Sequence, residues 1–444
     1  MQIVIFTIGT EGDVRPLVAL GVGLKQAGHK VRIATDPQCA DLVTHHGLEF
    51  APLRGDFLDW MRNDRTTLSN GLSPLAIAKA ARRRLKTMAA SWPAQGLRAT
   101  EGADLLIGNG MVFHLAAALG EYLGLPVAET QLVPTLPSRQ PPLLPLPGWA
   151  RSLPGPINVA LGHATQMLIW HILRPAYNEV VRPALRLAPY PWRGPYTYKP
   201  RSHLRLFAYS PTLVEPPASL PSNVRVTGPW QLQESSTWAA PDDLTRFLKG
   251  GPPPVYVGFG SMVGPDGGRF TDIVLQAVRK TGKRIVLASG WGGLNGADSE
   301  AGGNIFQIDR APHDWLFPKM ALAVHHGGAG TTTAAARAGI ASVVVPFFGD
   351  QPFWGSRLEK LGVAPPALDR AALTADALAS AIISADCDDM RHHATALGQR
   401  MRAEDGIAVA ISAIESLGVK SKWSVCPLLD RSCQAAPLRF REMA

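Results

Sequence analysis

His325, His326, Gly327, Gly328, Gly330 and Thr331 stand together in HHGGAGTTT, directly after an apolar run at 321–324 and directly before an alanine-rich stretch at 331–338. That order predicts a strand, a tight turn and a helix start. Glycines let the backbone approach an anion, and the unpaired N–H groups and positive dipole end of a helix hold its charge. The segment is therefore suited to a phosphate or diphosphate. No Gly-Lys-Ser/Thr follows, and the spacing is not Gly-x-Gly-x-x-Gly, so neither a Walker loop nor a nicotinamide site is indicated. Further on, Asp350 and Gln351 close a buried apolar strand at 343–345. Strand ends carry ligands in open parallel sheets, and a carboxylate beside an amide suits the vicinal hydroxyls of a sugar. Asp350 is equally suited to capping a helix that begins near Pro352.

With these blocks in hand the chain resembles a known family. The matching pieces are GTEGDVRPLVALGVGLKQAGH at 9–29, SPTLVEPP and VTGPW between 210 and 230, PPPVYVGFGSM at 252–262, SGWGGL at 289–294, PHDWLFP at 312–318, HHGGAGTTT at 325–333 and PFFGDQPFWG at 346–355. In combination they resemble the inverting nucleotide-sugar glycosyltransferases of the sterol 3-beta-glucosyltransferase-like branch, with its bacterial macrolide and glycopeptide relatives. The resemblance implies the GT-B fold, α/β with two Rossmann-like domains facing across a cleft. It also implies metal-independent transfer of a hexosyl group, with UDP-glucose the expected donor, to a hydroxyl of a lipophilic acceptor such as a sterol or polyketide.

Such a transfer makes two demands: charge on the leaving diphosphate must be stabilised, and the nucleophile's proton must be removed. The resemblance places His325 at the family's diphosphate-contacting histidine, helped by the N–H groups of 328–331, and leaves His326 structural. Ser261 is a second candidate phosphate donor, Trp291 a candidate cover for the nucleotide, and His313 falls in the base-contacting segment. For the base the candidate is Asp13, at the mouth of the first strand-to-helix turn, where many relatives carry histidine. A carboxylate can accept the proton if the transition state is dissociative and water is excluded. The competing role for Asp13 is N-cap of a helix beginning at Val14. No His, Cys, Asp or Glu group has metal-ligand spacing, and Asp386-Cys387-Asp388 reads as surface, so neither metal nor cofactor is expected beyond the nucleotide sugar as co-substrate.

The elements that must position these residues alternate. Strands are predicted at 2–8, 30–34, 104–107, 127–128, 255–259, 284–288 and 343–345, and helices at 13–27, 271–280 and 406–417. Alternation of this kind argues for parallel sheets wound on both faces. The chain divides into an acceptor-binding unit at 1–235, a linker at 236–254, a nucleotide-sugar-binding unit at 255–419 and a tail of unknown role at 420–444. The helix at 406–417 is expected to cross back over the first unit, as in the family. The proline- and leucine-rich stretch 134–156 is expected to be extended, either walling a lipophilic pocket or packing as a surface loop.

At 444 residues, 46% hydrophobic and 18% charged, the chain is a folded protein too long for one core. No apolar run reaches the ~18 residues of a membrane helix. The opening strand has no basic leader, and the four cysteines form no Cys-x-x-Cys pair, so a cytoplasmic location is expected. Residues 1–235 hold 23 Lys/Arg against 15 Asp/Glu, and residues 236–444 hold 21 against 20, so the first half carries most of the net +9. Part of that excess is the run Lys79 to Lys86, which suits either a solvated helix face or peripheral contact with the inner face of a membrane. Nucleic-acid binding is disfavoured because no zinc-finger, helix-turn-helix or RNA-binding signature accompanies the charge. Two other function classes compete: a nucleotide-sugar epimerase of the same fold, against which Asp350-Gln351 and the 134–156 stretch speak, and a noncatalytic lipid-surface binder. On the acceptor side, Glu129-Thr130-Gln131-Leu132-Val133-Pro134-Thr135 departs from the sterol enzymes' pattern and looks more like assorted bacterial enzymes. A sterol, polyketide, carotenoid or hydroxylated fatty acid all fit as acceptor.

Overall fold

A computed structural model describes residues 1–55, 74–143, 153–194, 203–233, 238–260, 267–288, 303–347 and 349–420. Short apolar strands alternating with helices build two wholly parallel sheets. The first contains β1 (Gln2–Phe6), β2 (Lys30–Thr35), β3 (Glu49–Pro52), β4 (Leu105–Asn109), β5 (Val127–Gln131), β6 (Leu204–Phe207) and β7 (Val224–Val226), in the order β3-β2-β1-β4-β5-β6-β7. The second contains β8 (Val255–Gly258), β9 (Ile285–Ala288), β10 (Ile305–Ile308), β11 (Leu322–His325) and β12 (Ala341–Val344), in the order β10-β9-β8-β11-β12. The strand order reverses between β1 and β4, and again between β8 and β11. At such a switch point the flanking connections leave in opposite directions and open a crevice at the carboxyl ends of the strands.

Helices cover both faces, so the central strands β1, β4, β8, β11 and β12 are buried along nearly their whole length. In β1 the alternation divides the core: Ile3 and Ile5 pack with Val14, Leu17 and Leu24 of α1 (Glu11–Gln26). Val4 and Phe6 face the opposite way, toward Trp92, Leu115 and Trp170. That second face is covered in part by α2 (Pro74–Ala89) and α3 (Gly155–Ala176), which pack on each other. In the second sheet α4 (Ala329–Ala338) follows β11 and α5 (Gln351–Lys360) follows β12.

The chain then returns to its beginning. In α6 (Gly406–Lys420), Ile407, Ala410, Ile411 and Ile414 join the cluster built on α1. A Cβ on Gly23 would lie 2.4 Å from the Ile407 Cγ2, so only glycine admits this close crossing. Trp230 Nε1 pins the return by donating to Gly406 O at 3.1 Å. A mixed cluster of Phe207, Tyr209 and Leu213 with Val344, Trp354 and Leu358 joins the two sheets' units.

Some local readings change. The first strand stops at Phe6, and α1 begins at Glu11 with Thr10 at its N-cap, so Asp13 is the third residue of the helix and closes a capping box with Thr10 rather than being the N-cap itself. Strands β3, β6 and β7, at three or four residues each, are too short to show a period of their own. Of the stretch 134–156, residues 134–143 are free of helix, 144–152 lie outside the described residues, and α3 already begins at Gly155. Ser261, Trp291 and the tail from 421 lie outside the described residues. Among the described residues no helix is long and apolar enough to cross a membrane.

Candidate active site

Asp13 is positioned by the turn between β1 and α1. Its Oδ2 accepts from Thr10 N at 2.8 Å and Thr10 Oγ1 at 3.0 Å, and its own carbonyl accepts from Thr7 Oγ1 at 3.3 Å. Gly9 sits at φ 137°, and a Cβ there would lie 2.3 Å from the carboxylate, so a side chain at position 9 would displace the acid. Burial pushes the Asp13 pKa above its ordinary 3.8, the Thr10 hydrogen bonds oppose that shift, and the charge of Asp350 adds to it. The acid of the first unit thus feels the acid of the second. Arg310 Nη2 also reaches Glu11 Oε1 at 2.5 Å, and Arg15 pairs with the same carboxylate.

Across the crevice lies the glycine turn that follows β11. His325 ends β11, is fully buried, and accepts from Gly327 N through Nδ1 at 3.0 Å. That bond fixes the tautomer, leaving Nε2–H as a buried donor with no hydrogen-bond partner among the described residues. Burial, with His326 and His313 adding, pushes its pKa down to about 3, so the ring is neutral at physiological pH. Gly327 has φ 86°, and a Cβ there would meet Val344 Cγ1 at 2.7 Å and Gln351 O at 3.0 Å. Gly328 is the N-cap of α4 and lacks a side chain to cap it, so the amides of Ala329, Gly330 and Thr331 have no intrahelical acceptor. Around Gly330 there is open space. His326 is half-buried, its ring against Gly328 and Gly260 and its Nδ1 buried without a hydrogen-bond partner among the described residues.

Asp350 occupies the N-cap position of α5 without making a side-chain cap bond; its Oδ2 accepts instead from Trp354 Nε1 at 2.7 Å. Gln351 is buried and its Oε1 accepts from Phe347 N at 2.7 Å, which holds the loop between β12 and α5. His313 stacks on Phe317 at 4.2 Å, and burial together with the Arg15 charge lowers its pKa to about 4. The structure therefore gathers Asp13, His313, His325, the glycine turn and Asp350 where the two switch points meet. Asp386, by contrast, pairs with Lys283 and Arg391, and Asp388 with Arg391, so the Asp-x-Asp sequence is an ion-pair cluster. No group of three or more His, Cys, Asp or Glu side chains among the described residues is arranged to hold a metal ion.

A cavity of about 370 Å³ opens beside the first switch point, between Leu85 and Met88 of α2 and Ile169, Ile172 and Leu173 of α3. Its volume falls in the range of small-molecule sites. One wall is polar: Arg205 Nε donates to Glu129 Oε2 at 2.6 Å, and Gln131 Nε2 donates to Glu129 Oε1 at 2.9 Å. A hydrogen-bonded row connects this strand to the acid: Thr130 Oγ1 to Asn109 Oδ1 at 3.2 Å, then Asn109 Nδ2 to Thr7 Oγ1 at 3.3 Å. Arg205 and the cavity-lining His114 were not anticipated from sequence. The only available sign was a charged or polar residue interrupting an apolar strand, as Glu129 does.

Comparison with known proteins gives the family and agrees with the fold. Residues 3–102 match the glycosyltransferase family 28 N-terminal domain. Residues 273–409 match the erythromycin biosynthesis protein CIII-like C-terminal domain. A sterol 3-beta-glucosyltransferase of Arabidopsis thaliana is 33% identical over 426 residues, covering 93% of this chain and 67% of the relative. Another, of Emericella nidulans, is 33% identical over 435 residues, 93% of this chain but only 30% of the relative. This chain thus spans a minor part of the fungal relative and about two thirds of the plant one. Among solved structures, the spinosyn forosaminyltransferase SpnP superposes with a TM-score of 0.65 at 15% identity, covering 94% of this chain and 99% of its own. Glycosyltransferase VinC in complex with dTDP gives 0.65 at 18%, covering 94% and 100%.

Proposed function

We propose hexosyl transfer for this chain, which belongs to the sterol 3-beta-glucosyltransferase family of two-domain nucleotide-sugar glycosyltransferases: an inverting, metal-independent reaction from a nucleotide sugar, UDP-glucose as donor, to a hydroxyl of a lipophilic acceptor. The observation that carries the reading is the buried His325 Nε2–H, left without a partner among the described residues beside the uncapped amides that open α4. A base supplied by one unit and a sugar-binding acid supplied by the other suit a displacement on a substrate held between them.

In this reading the acceptor fills the cavity beneath α2 and α3. Its hydroxyl oxygen attacks the anomeric carbon while Asp13 takes the proton, and the bond to the diphosphate oxygen breaks on the opposite face. The leaving diphosphate keeps that electron pair. Its charge is met by the amides at the start of α4 and by His325 Nε2–H, with Ser261 as a further donor; Gly327, Gly328, Gly330 and Thr331 form the cradle. Asp350 and Gln351 take the sugar hydroxyls, and Trp291 and His313 flank the nucleotide. The helix dipole and neutral donors supply what a cation supplies elsewhere, so neither metal nor cofactor enters. We place this work in the cytoplasm, with the basic first half at a membrane surface.

Incubation with UDP-glucose and a panel of hydroxylated sterols, polyketides and lipids, with product detection by mass spectrometry, tests the reading. Transfer at an undiminished rate in excess EDTA is expected. Absence of both transfer and donor hydrolysis would favour a noncatalytic lipid binder, and conversion of the free nucleotide sugar to its epimer would favour an epimerase. Asp350→Asn keeps an acceptor for Trp354 but loses the charge. It is expected to raise the donor KM about ten- to a hundredfold, the value of a hydrogen bond to a charged group, with the melting temperature little changed. An unaltered donor KM would remove Asp350 from the sugar site.

A further inference from the structure

Helix α2 exposes Lys79, Arg82, Arg83 and Lys86, spaced so that all four fall on one face. Beside it, α3 exposes Ile157, Leu168 and Ile169, at 45%, 51% and 42%, with Ala160 and Ala164 also exposed between them. From 155 to 173 that helix contains no Lys, Arg, Asp or Glu. At its far end Trp192 is 60% exposed, its ring 5.1 Å from that of His171. Nine large apolar side chains are exposed among the described residues, and four of them are these. The apolar exposure is therefore concentrated on one surface, rimmed by cations.

We propose that this surface docks the protein on an anionic lipid bilayer, with α3 lying in the interface and α2 over the headgroups, and that the lipophilic ligand of the cavity passes directly between the two helices from the membrane. Three observations converge on a bilayer. An apolar helical face next to a basic stripe is what partitions into the boundary between headgroups and acyl chains. A tryptophan with an apolar body and one N–H suits the same depth. The cavity is walled by these very helices, and Ile169 is both part of its lining and part of the exposed face. A second copy of the chain is a poorer occupant, because it would bring two cationic stripes together. The access route rests on the reading of the cavity as the acceptor site; the docking surface does not.

Vesicle cosedimentation of the full chain tests docking without any need for turnover. Binding to phosphatidylcholine vesicles containing phosphatidylglycerol is expected, weaker to phosphatidylcholine alone and weakened by salt. The combined variant Lys79→Glu, Arg82→Glu, Arg83→Glu is expected to bind at least about a hundredfold more weakly, each basic residue near an anionic surface counting for roughly a kcal/mol. Leu168→Glu should bind more weakly while leaving the charge stripe whole. Both variants should match wild type on a detergent-solubilised acceptor and fall behind it on the same acceptor in vesicles; the detergent assay also verifies that they fold. Wild type failing to bind anionic vesicles, or the triple variant binding as tightly as wild type, would overturn the docking surface. Equal losses in detergent and in vesicles would overturn the access route. Firm vesicle binding with no transfer to any acceptor would uphold docking and count instead against hexosyl transfer.

Discussion

Asp13→Asn is expected to lower kcat by about a hundred- to ten-thousandfold while donor affinity stays near that of the wild type, the span that general-base catalysis contributes. The amide is nearly isosteric, still accepts from Thr10 N, and still fits against Gly9, but it cannot take a proton. Isothermal titration with the nucleotide sugar and single-turnover transfer separate the two effects. Unchanged turnover would reject Asp13 as the base. The pH dependence carries the same assignment. The carboxylate must be ionised to act, and its pKa lies above 3.8, so wild-type kcat/KM should fall with acidity at a higher pH than an ordinary aspartate would give. For stability the sign runs the other way. A carboxyl whose folded pKa is raised by burial favours the fold in its protonated form, and that contribution is lost as pH rises through the folded value. Removing the charge should therefore leave the melting temperature at neutral pH unchanged or raised, so lost activity in Asp13→Asn cannot be attributed to unfolding.

His325→Ala is expected to reduce kcat/KM by about a hundred- to a thousandfold, with weaker donor binding as well as slower chemistry, the scale seen when one preorganised donor to a developing oxyanion is removed. Two losses combine. The Nε2–H donor disappears, and Gly327 N loses the acceptor that shapes the turn at its positive φ. Because the ring is neutral, with a pKa near 3, the wild-type rate should show no ionisation of this histidine between pH 5 and 9. His326→Ala provides the comparison, since that ring packs against Gly328 and Gly260. A larger loss from His326→Ala than from His325→Ala would move the donor role to His326, and full activity in both variants would remove the pair from the site.

The readable parts of this chain were those whose cause is local. A glycine pair after an apolar run and before an alanine run has few conformations other than a strand, a turn and a helix, so the glycine turn was legible in the nine consecutive residues 325–333. Asp13 was visible in the same way, by its place after the first strand. The sequence places the N-cap ambiguously because Thr10, Glu11 and Asp13 all carry N-terminal signals, and the structure chooses Thr10, with the Asp13 carboxylate reaching back to accept from its N and Oγ1. Asp350 stood at its expected cap position yet gave its oxygen to Trp354, a partner one helical turn away whose indole faces it only once α5 is packed.

Sequence alone determined the alternating architecture, the strand, glycine turn and helix at 322–338, the two candidate acids and the family resemblance, because each is written in short windows where turn chemistry and hydrophobic period dominate. Tertiary structure alone decided that Glu11 meets Arg310 from 299 positions away, that Asp13 and Asp350 share one crevice, that α6 closes onto α1, and that a cavity opens between a basic and an apolar helix. Those facts depend on strand order and on how two units pack, and neither leaves a periodic trace in the residues that come together.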